Sequence, residues 1–211
     1  MPGILNPQIE KYLNQTLPKR DPIFTEMERY AQKHDVPIIG PACGRLLFQL
    51  AQISGAKRIF EMGSAIGYTA LWFARAAGPE CEIFFTDSDP ANVDRAKNYI
   101  ARAGVAGRVR FLLGEAVGLI DTVPGEFDII LVDVFKHQYP AALEKSIPRL
   151  RSGGLLITDN VLWSGRVARA AKTSDKDTRA IQKFNRMVFS STELFTVIVP
   201  LRDGVAVCRR S

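Results

Sequence analysis

The sequence lacks several features that define specialised classes of protein. Its 211 residues contain no apolar run close to the ~18 residues that a membrane-spanning helix needs. The N-terminal segment has no basic region followed by an apolar block, so we predict no secretory signal. No internal repeat or low-complexity segment is present either. These absences favour one globular domain over residues 1–211, with no membrane partner.

Cysteine is also scarce, because the chain has only Cys43, Cys81 and Cys208. Their odd number and uneven spacing predict neither a disulfide framework nor a zinc site. We therefore expect a reducing, cytoplasmic location for the protein.

The charge balance is basic, with 28 lysines and arginines against 22 aspartates and glutamates and a formal net charge of +6. Such an excess can attract nucleic acid or another polyanion. Here the basic residues are spread along the chain, which favours an ordinary basic surface over a dedicated nucleic-acid-binding face.

The order of the helix and strand signals predicts the fold class. Apolar residues at helical spacing predict helices over 8–17, 23–34 and 41–53. From Lys57 onward, strands alternate with helices, and a tight turn joins the last two strands, which are therefore antiparallel. This order indicates an α/β protein with three layers and a seven-stranded, mostly parallel sheet. The predicted strands are 58–60, 82–86, 108–113, 127–132, 155–158, 194–200 and 204–208, with a helix over 140–150 and a turn at Gly153-Gly154.

The two parts of the chain have different expected roles. Residues 57–211 should form the α/β core, and ligands bind such sheets at the carboxyl ends of the strands, near the topological switch. The helices of residues 1–56 should pack over the edge or mouth of that sheet and cover the site.

The stretch Lys57–Thr69, KRIFEMGSAIGYT, combines a strand, a glycine-containing loop and the start of a helix. The strand leads to Glu61, Gly63 and Gly67 lie in the loop, and helical residues begin at Tyr68. A turn of this kind places backbone N–H groups and a helix N-terminus beside one ligand. The stretch therefore predicts a ligand-binding loop.

Asp87 narrows the class of ligand. It follows the second predicted strand, 20 residues after Gly67, where its carboxylate can accept hydrogen bonds from both hydroxyls of a ribose. The loop lacks the G-x-G-x-x-G spacing of pyrophosphate-binding loops, and Glu61 would repel a phosphate. A cationic nucleoside without phosphate, such as S-adenosylmethionine, is therefore favoured over NAD.

A second polar group follows the fourth and fifth strands, which should be neighbours in the sheet. Asp133, Asp159 and Asn160 would bring three oxygen donors to one edge of the pocket. Oxygen donors without histidine or cysteine favour Mg²⁺, Ca²⁺ or Mn²⁺ over zinc. Lys136, three residues after Asp133, is either a base or a solvated loop lysine, and its spacing alone favours the second.

Six segments resemble one known family: EMGSAIGYTALWFA, DSDP, LVDVFKHQYP, GGLLITDNVLWSGRV, DTRAIQKFN and DGVAVCRR. They are similar to segments of the cation-dependent O-methyltransferases, the caffeoyl-CoA and catechol O-methyltransferase-like proteins of the class I S-adenosylmethionine-dependent group. The similarity extends from about Pro41 to Arg210, and the bacterial small-molecule branch is nearest in appearance. It implies a Rossmann-like methyltransferase fold with extra N-terminal helices.

The resemblance also implies a role for each matching position. Lys136 would be the general base, and a divalent cation (Mg²⁺, or alternatively Ca²⁺ or Mn²⁺) would bind Asp133, Asp159 and Asn160. The acceptor would be a small hydroxylated molecule, and the protein would form a homodimer. The implied S-adenosylmethionine-binding positions are Glu61, Gly63, Ser64, Gly67, Tyr68, Thr69, Asp87, Ser88, Glu115, Ala116 and Asp133.

Three positions depart from the family pattern. Phe135 stands where many members have a second acid, and Cys43 replaces the acid usual before the glycine of the third helix. Ala206 stands where the catechol enzymes have a glutamate. The last difference argues against a catechol held through that particular carboxylate.

The residues and the resemblance together predict an enzyme, an O-methyltransferase. It would move a methyl group from S-adenosylmethionine to a hydroxyl of a small phenolic or catechol-like acceptor, with assistance from a divalent metal. Two alternatives stay open. The basic charge leaves open the same chemistry on a hydroxylated tRNA base, and the three departures allow a non-catalytic S-adenosylmethionine-binding protein.

Overall fold

The structure is a computed structural model that describes Ile4 and residues 6–211. Residues 1–3 and Leu5, which belong to the part predicted over 1–56, lie outside the described residues. The helices are α1 (Pro7–Thr16), α2 (Pro22–His34), α3 (Gly40–Ile53), α4 (Tyr68–Ala76), α5 (Pro90–Arg102), α6 (Ala116–Leu119), α7 (Tyr139–Ser146) and α8 (Lys176–Ser190). The strands are β1 (Arg58–Met62), β2 (Glu82–Asp87), β3 (Val109–Leu113), β4 (Phe127–Val132), β5 (Leu150–Thr158), β6 (Leu194–Val199) and β7 (Val205–Arg210).

The seven strands form one sheet in the order β3-β2-β1-β4-β5-β7-β6. Strands β1 to β5 are parallel, whereas β7 is antiparallel to both β5 and β6. Helices cover both faces, with α2 to α5 in the core on one face and α6 to α8 in the core on the other. The predicted α/β fold, with its mostly parallel sheet and antiparallel C-terminal pair, is confirmed. None of the described helices is long and apolar enough to span a membrane.

The N-terminal helices α2 and α3 are part of the core on the first of these faces. The ring of Phe24 in α2 stacks on Trp72 in α4 with centroids 4.3 Å apart. The hydroxyl of Tyr68 donates to Glu28 of α2 at 2.7 Å. In α3, Gly44 lies so close to Trp72 that a Cβ atom there would overlap the indole ring. These contacts fix both helices against α4, the helix that follows the ligand-binding loop.

The topological switch of the sheet lies between β1 and β4. From β1 the chain continues outward to β2 and β3, whereas β4 pairs with the other edge of β1 and leads to β5. The backbone N–H of Asp133 donates to the carbonyl oxygen of Met62 at 2.8 Å and so joins the ends of these two strands. Parallel sheets bind ligands at the carboxyl ends of strands beside such a switch.

The predicted turn at Gly153-Gly154 is wrong, because both glycines lie inside β5. The pairing of β5 with β4 shifts register in this region, between Phe127 and Ile129. Gly153 has a φ of +74°, and a Cβ atom at Gly154 would lie 2.9 Å from the carbonyl oxygen of Arg151. The glycine pair therefore allows a bulge within one strand and does not separate two elements.

Two predicted boundaries also differ from the structure. The helix predicted over 140–150 ends at Ser146, because Pro148 lacks the N–H that would continue it, and Leu150 already begins β5. The first strand continues past Phe60 to Met62, so Glu61 lies inside it. Strands on both sides of β1 supply hydrogen-bond partners for its backbone, whatever the side chain at that position.

Replacement of Gly63 by alanine should destabilise the protein by about 3 kcal/mol. Gly63 has a φ of +86°, and an added Cβ atom would overlap the carbonyl oxygen of Asp133. Gly78 is the matched control, since its φ is +81° and its added Cβ atom would have no neighbour within 4 Å. We expect Gly78→Ala to cost about 1 kcal/mol from backbone strain alone, as measured by urea unfolding. Equal losses in the two variants would contradict the steric argument.

Candidate active site

Thr86, a buried residue of β2, fixes the loop that follows β1. Its carbonyl oxygen accepts a hydrogen bond from the N–H of Ser64 at 2.9 Å, and its hydroxyl oxygen accepts one from Gly63 at 3.2 Å. The hydroxyl also donates to the carbonyl oxygen of Glu61 at 2.6 Å. Sequence reasoning missed Thr86, although a threonine before the strand-end acid Asp87, after a run of apolar residues, was an available signal.

Glu61 carries a fully buried carboxyl group beside this loop. Its exposed fraction is 0%, and neither carboxylate oxygen has a hydrogen-bond partner among the described residues. Burial raises the pKa of Glu61 to about 7, an effect that the neighbouring Ser64 and Thr69 partly oppose. Buried carboxylates without partners are rare, since the lost hydration is not replaced. The position therefore fits a ligand that brings a positive charge or hydrogen-bond donors.

Asp87 lies at the end of β2, next to the strand that carries Glu61. Its Oδ1 accepts hydrogen bonds from the N–H of Asp89 at 2.8 Å and from Nδ2 of Asn92 at 3.3 Å. Both donors lie at the start of α5, so the carboxylate is oriented before any ligand binds. Ser88, the next predicted cofactor position, is exposed.

Glu115 and Ala116 lie at the start of α6. Glu115 caps this short helix, since its carboxylate accepts from the N–H groups of Val117 at 3.0 Å and Gly118 at 2.8 Å. The same carboxylate accepts from Nε2 of Gln138 at 2.8 Å. A structural role therefore accounts for the glutamate, while the buried Ala116 stays available to border a ligand.

The remaining predicted cofactor positions lie at the start of α4. Gly67, at the N-cap position, has a φ of 83°, and Thr69 is buried beside Glu61. The hydroxyl of Tyr68 is bonded to Glu28 of α2, as described above, so its ring belongs to the core. The predicted contact of Tyr68 with a cofactor can therefore involve its backbone alone.

Lys136 is the centre of the second polar group. Its Nζ donates hydrogen bonds to Oδ1 of Asp133 at 3.0 Å, to the hydroxyl of Tyr139 at 2.7 Å and to Oδ1 of Asn160 at 2.7 Å. The ammonium group has three N–H donors, and all three have partners. Only 9% of the residue is exposed, so the alternative of a solvated loop lysine is wrong.

Asp159 and Tyr139 complete this group. Tyr139 is fully buried, and its hydroxyl donates to the carbonyl oxygen of Asp159 at 2.8 Å. Burial raises the pKa of the Tyr139 hydroxyl well above its usual value, so it stays a donor. Burial and the negative charge of Asp133 also raise the pKa of Asp159. Its Oδ1 is buried and finds no hydrogen-bond partner within the described ranges.

Two of the three predicted metal-binding residues, Asp133 and Asn160, therefore bond to one positive charge. Within Ile4 and residues 6–211, no group of three His, Cys, Asp or Glu side chains is arranged to hold a metal ion. The predicted set differs from such groups because an amide is its third donor. The ammonium group of Lys136 lies between Asp133 and Asn160 and bonds to both. Oδ1 of Asp159 is buried and has no hydrogen-bond partner among the described residues. This donor set of two carboxylates and one amide oxygen fits a hard divalent cation, which Asp133, Asp159 and Asn160 would hold.

Two charged residues of the β6–β7 turn also reach this site, and sequence reasoning missed both. Arg202 forms an ion pair with Asp159, with Nη1 and Oδ2 3.5 Å apart. Oδ1 of Asp203 accepts a hydrogen bond from the N–H of Ser164, and burial raises the pKa of the Asp203 carboxyl group. The turn lies far from Asp159 in sequence, and no local spacing connects them.

The three departures from the family pattern occupy different surroundings. Cys43 is buried, and burial together with the charge of Asp159 raises its pKa to about 12, so it is a neutral thiol. Ala206 is fully buried within β7, opposite Thr158 of β5. Phe135 is 73% exposed, directly before Lys136 in the chain, and stacks on His137. It therefore offers an aromatic face next to the site.

The buried Glu61 predicts a specific pH dependence of stability for the protein without ligand. Its pKa in the folded state, about 7, lies above the ordinary 4.5, so its contribution is fully present below pH 4.5 and is lost as the pH rises to 7. Glu61→Gln should therefore be more stable than the wild type at pH 8, by up to ~3 kcal/mol, and about equal to it at pH 4.5.

Urea unfolding at several pH values measures this difference, with the exposed Glu144→Gln as a control that should follow the wild type. A constant difference between Glu61→Gln and the wild type at all pH values would show that burial does not shift the Glu61 pKa.

The chain is similar in sequence and structure to known methyltransferases. A catechol O-methyltransferase from Mycobacterium tuberculosis is 29% identical over 185 residues, which are 86% of this chain and 83% of that protein. The solved structure of a methyltransferase from Geobacter sulfurreducens is 28% identical, with a TM-score of 0.82, and 99% of this chain and 98% of that chain are covered.

A third similarity concerns the fold alone. The structure of an O-methyltransferase from Bacillus cereus, in complex with S-adenosylhomocysteine, has a TM-score of 0.88 at 24% identity, with 97% of each chain covered. The model of the O-methyltransferase family matches residues 15–211 of the sequence. This match spans nearly the whole chain, so the protein belongs to the O-methyltransferase family, as its sequence segments predicted.

Proposed function

We propose that this protein moves a methyl group from S-adenosylmethionine to a hydroxyl of a small catechol-like acceptor, with a divalent cation bound at Asp133, Asp159 and Asn160. The observation that carries the proposal is the pairing of Lys136 with both Asp133 and Asn160 at the carboxyl ends of the strands. The proposed base thereby lies beside two of the proposed metal ligands.

The choice of S-adenosylmethionine depends on the loop after β1. The buried, unpartnered carboxylate of Glu61 lies where a positively charged ligand or hydrogen-bond donors would replace its lost hydration. Asp87 at the neighbouring strand end would hold the ribose, and Ala116 would border the adenine. The Bacillus cereus enzyme of the same fold is in complex with S-adenosylhomocysteine, so the fold accommodates this kind of ligand.

The choice of acceptor depends on the polar group after β4 and β5. When bound, S-adenosylmethionine would supply the methyl group on a sulfonium, and a divalent cation would stabilise the negative charge of the acceptor oxygen. Phe135 presents an exposed ring for contact with an aromatic acceptor. The Mycobacterium tuberculosis relative is a catechol O-methyltransferase, which agrees with an acceptor that has two neighbouring hydroxyls.

In the neutral amine form, Lys136 would receive the proton of the acceptor hydroxyl at Nζ and become an ammonium ion. Among its hydrogen-bond partners, Asp133 and Asn160 are also the proposed metal ligands, whereas Tyr139 stays bonded to the backbone of Asp159. If Asp133 and Asn160 bind a metal ion, Lys136 keeps its hydrogen bond to the hydroxyl of Tyr139. This bond would keep Nζ directed at the site. Alignment of the acceptor oxygen with the methyl group would supply much of the remaining acceleration.

A methyl-transfer screen with mass detection of products tests the proposal. Acceptors would include catechol, caffeate, a flavonoid and bulk tRNA, each with Mg²⁺ and with EDTA. We expect methylation of a vicinal dihydroxyarene that EDTA abolishes and added Mg²⁺ restores. Full activity in EDTA would exclude the metal role, methylation of tRNA alone would favour the nucleic-acid alternative, and a bound cofactor without any transfer would favour a non-catalytic protein.

Replacement of Lys136 by alanine should lower kcat by about 100-fold or more, because a positioned general base contributes that much to proton transfer. Binding of S-adenosylhomocysteine, measured by calorimetry, should change little, since Lys136 is not among the predicted cofactor contacts. Lys145→Ala is the control, because Lys145 is exposed and pairs with Asp121 on the surface. Wild-type turnover by Lys136→Ala would remove the assignment of Lys136 as the base.

A further inference from the structure

The turn between β6 and β7 places an arginine beside the predicted metal ligands. Nη1 of Arg202 lies 3.5 Å from Oδ2 of Asp159, whose side chain is only 4% exposed. The same nitrogen is buried and has no hydrogen-bond partner in the part of the chain that the structure describes. The pair is therefore an electrostatic contact and not a hydrogen bond, so the guanidinium acts on Asp159 through its charge.

Backbone geometry holds Arg202 in this position. Its φ of 52° lies in the left-handed region, which residues other than glycine adopt only where their surroundings compensate for the strain. The turn that contains it is joined to the metal-binding segment, because the N–H of Val161 donates to the carbonyl oxygen of Gly204 at 3.0 Å. Val161 directly follows Asn160, so the arginine and two of the three ligands belong to one connected unit.

The three oxygen ligands consequently face two positive charges of the protein itself. Lys136 is bonded to Asp133 and Asn160, and Arg202 faces Asp159. These side chains neutralise the carboxylates when no other cation is bound, and a divalent cation must compete with both. A positive charge that stays near Asp159 weakens the attraction of this carboxylate for any further cation, and burial makes the effect larger than it would be in water.

We propose that Arg202 lowers the affinity of the Asp133, Asp159 and Asn160 site for its divalent cation by acting as a competing counter-cation for Asp159. This inference rests on the proposed function, since it requires that these three residues bind a metal. The site would then exchange its metal readily. In the metal-free protein, the guanidinium of Arg202 would balance the negative charge of Asp159.

The surroundings of Arg202 allow the competition to be reversible. Its side chain is 27% exposed and borders a cavity of about 160 Å³ between α1, the start of α3 and the β6–β7 turn. Leu13, Pro41 and Leu201 are among the other residues that line this cavity. The guanidinium therefore has space into which it can move when a metal ion takes its place beside Asp159.

The affinity for Mn²⁺ tests the inference, measured from the electron paramagnetic resonance signal of the free ion with metal-stripped, full-length protein and no acceptor. Arg202→Gln removes the charge while keeping a polar side chain of moderate length, and Arg202→Gly also relieves the left-handed strain. We expect both to bind Mn²⁺ about tenfold more tightly than the wild type, or better.

Two controls separate the charge from other effects. Arg202→Lys keeps a positive charge, so its affinity should stay within about threefold of the wild type. Arg209→Ala removes the same charge at the other end of β7 and should leave the affinity unchanged. The rise in Tm on addition of Mn²⁺ is a second measurement, and it should be larger for Arg202→Gln than for the wild type.

The outcomes distinguish this inference from the proposal on which it rests. If the wild type binds Mn²⁺ and the two neutral variants bind it equally or more weakly, the role of Arg202 is overturned while the metal site stands. If none of the proteins binds Mn²⁺, the metal site and this inference both fail. A far-UV circular dichroism spectrum and the Tm in EDTA establish that each variant is folded, and Arg202→Gln against Arg202→Lys is sufficient if Arg202→Gly does not fold.

Discussion

The close approach between the ends of β1 and β4 is the constraint on which the rest of the site depends. The N–H of Asp133 donates to Met62, and Gly63 lies against the carbonyl oxygen of Asp133 with no room for a side chain. This contact brings the loop that follows β1 close to Asp133, the acid that follows β4. The two strand ends can converge only because position 63 carries a glycine.

The same convergence concentrates carboxylates in a poorly hydrated region, and the protein treats them in two ways. Asp133 and Asp159 have positive partners within the chain, namely Lys136 and Arg202. Glu61 has no positive partner among the described residues, and burial raises its pKa. Removal of a charge from water is unfavourable unless a partner replaces the lost hydration. The contrast therefore separates one buried carboxylate that has no partner in the protein from two carboxylates that pair with the protein's own cations.

Sequence patterns predicted the fold well because they reflect local physics. The nearly continuous apolar residues of β4 indicate a strand buried on both faces, and the helical spacing of apolar residues in α3 indicates a helix buried on one face. The order of the elements then identifies which residues lie at the ends of the strands. The patterns failed at Gly153-Gly154, where the same two glycines serve a turn in one context and a bulge in another. The choice between them depends on whether β4 lies alongside, and that is a contact between distant parts of the chain.

The sequence by itself determined the kind of protein: the strand, loop and helix around Gly63, the acids at the strand ends, and the segments that identify the O-methyltransferase family. The tertiary structure decided what each charged group does. Lys136 looked like a solvated lysine by spacing alone, and Arg202 carried no signal. Both are directed at the site because β5 lies between β4 and β7 in the sheet. The spacing of residues along the chain indicates helices, strands and their buried faces. The partner of a charged side chain depends instead on which distant strands become neighbours in the sheet.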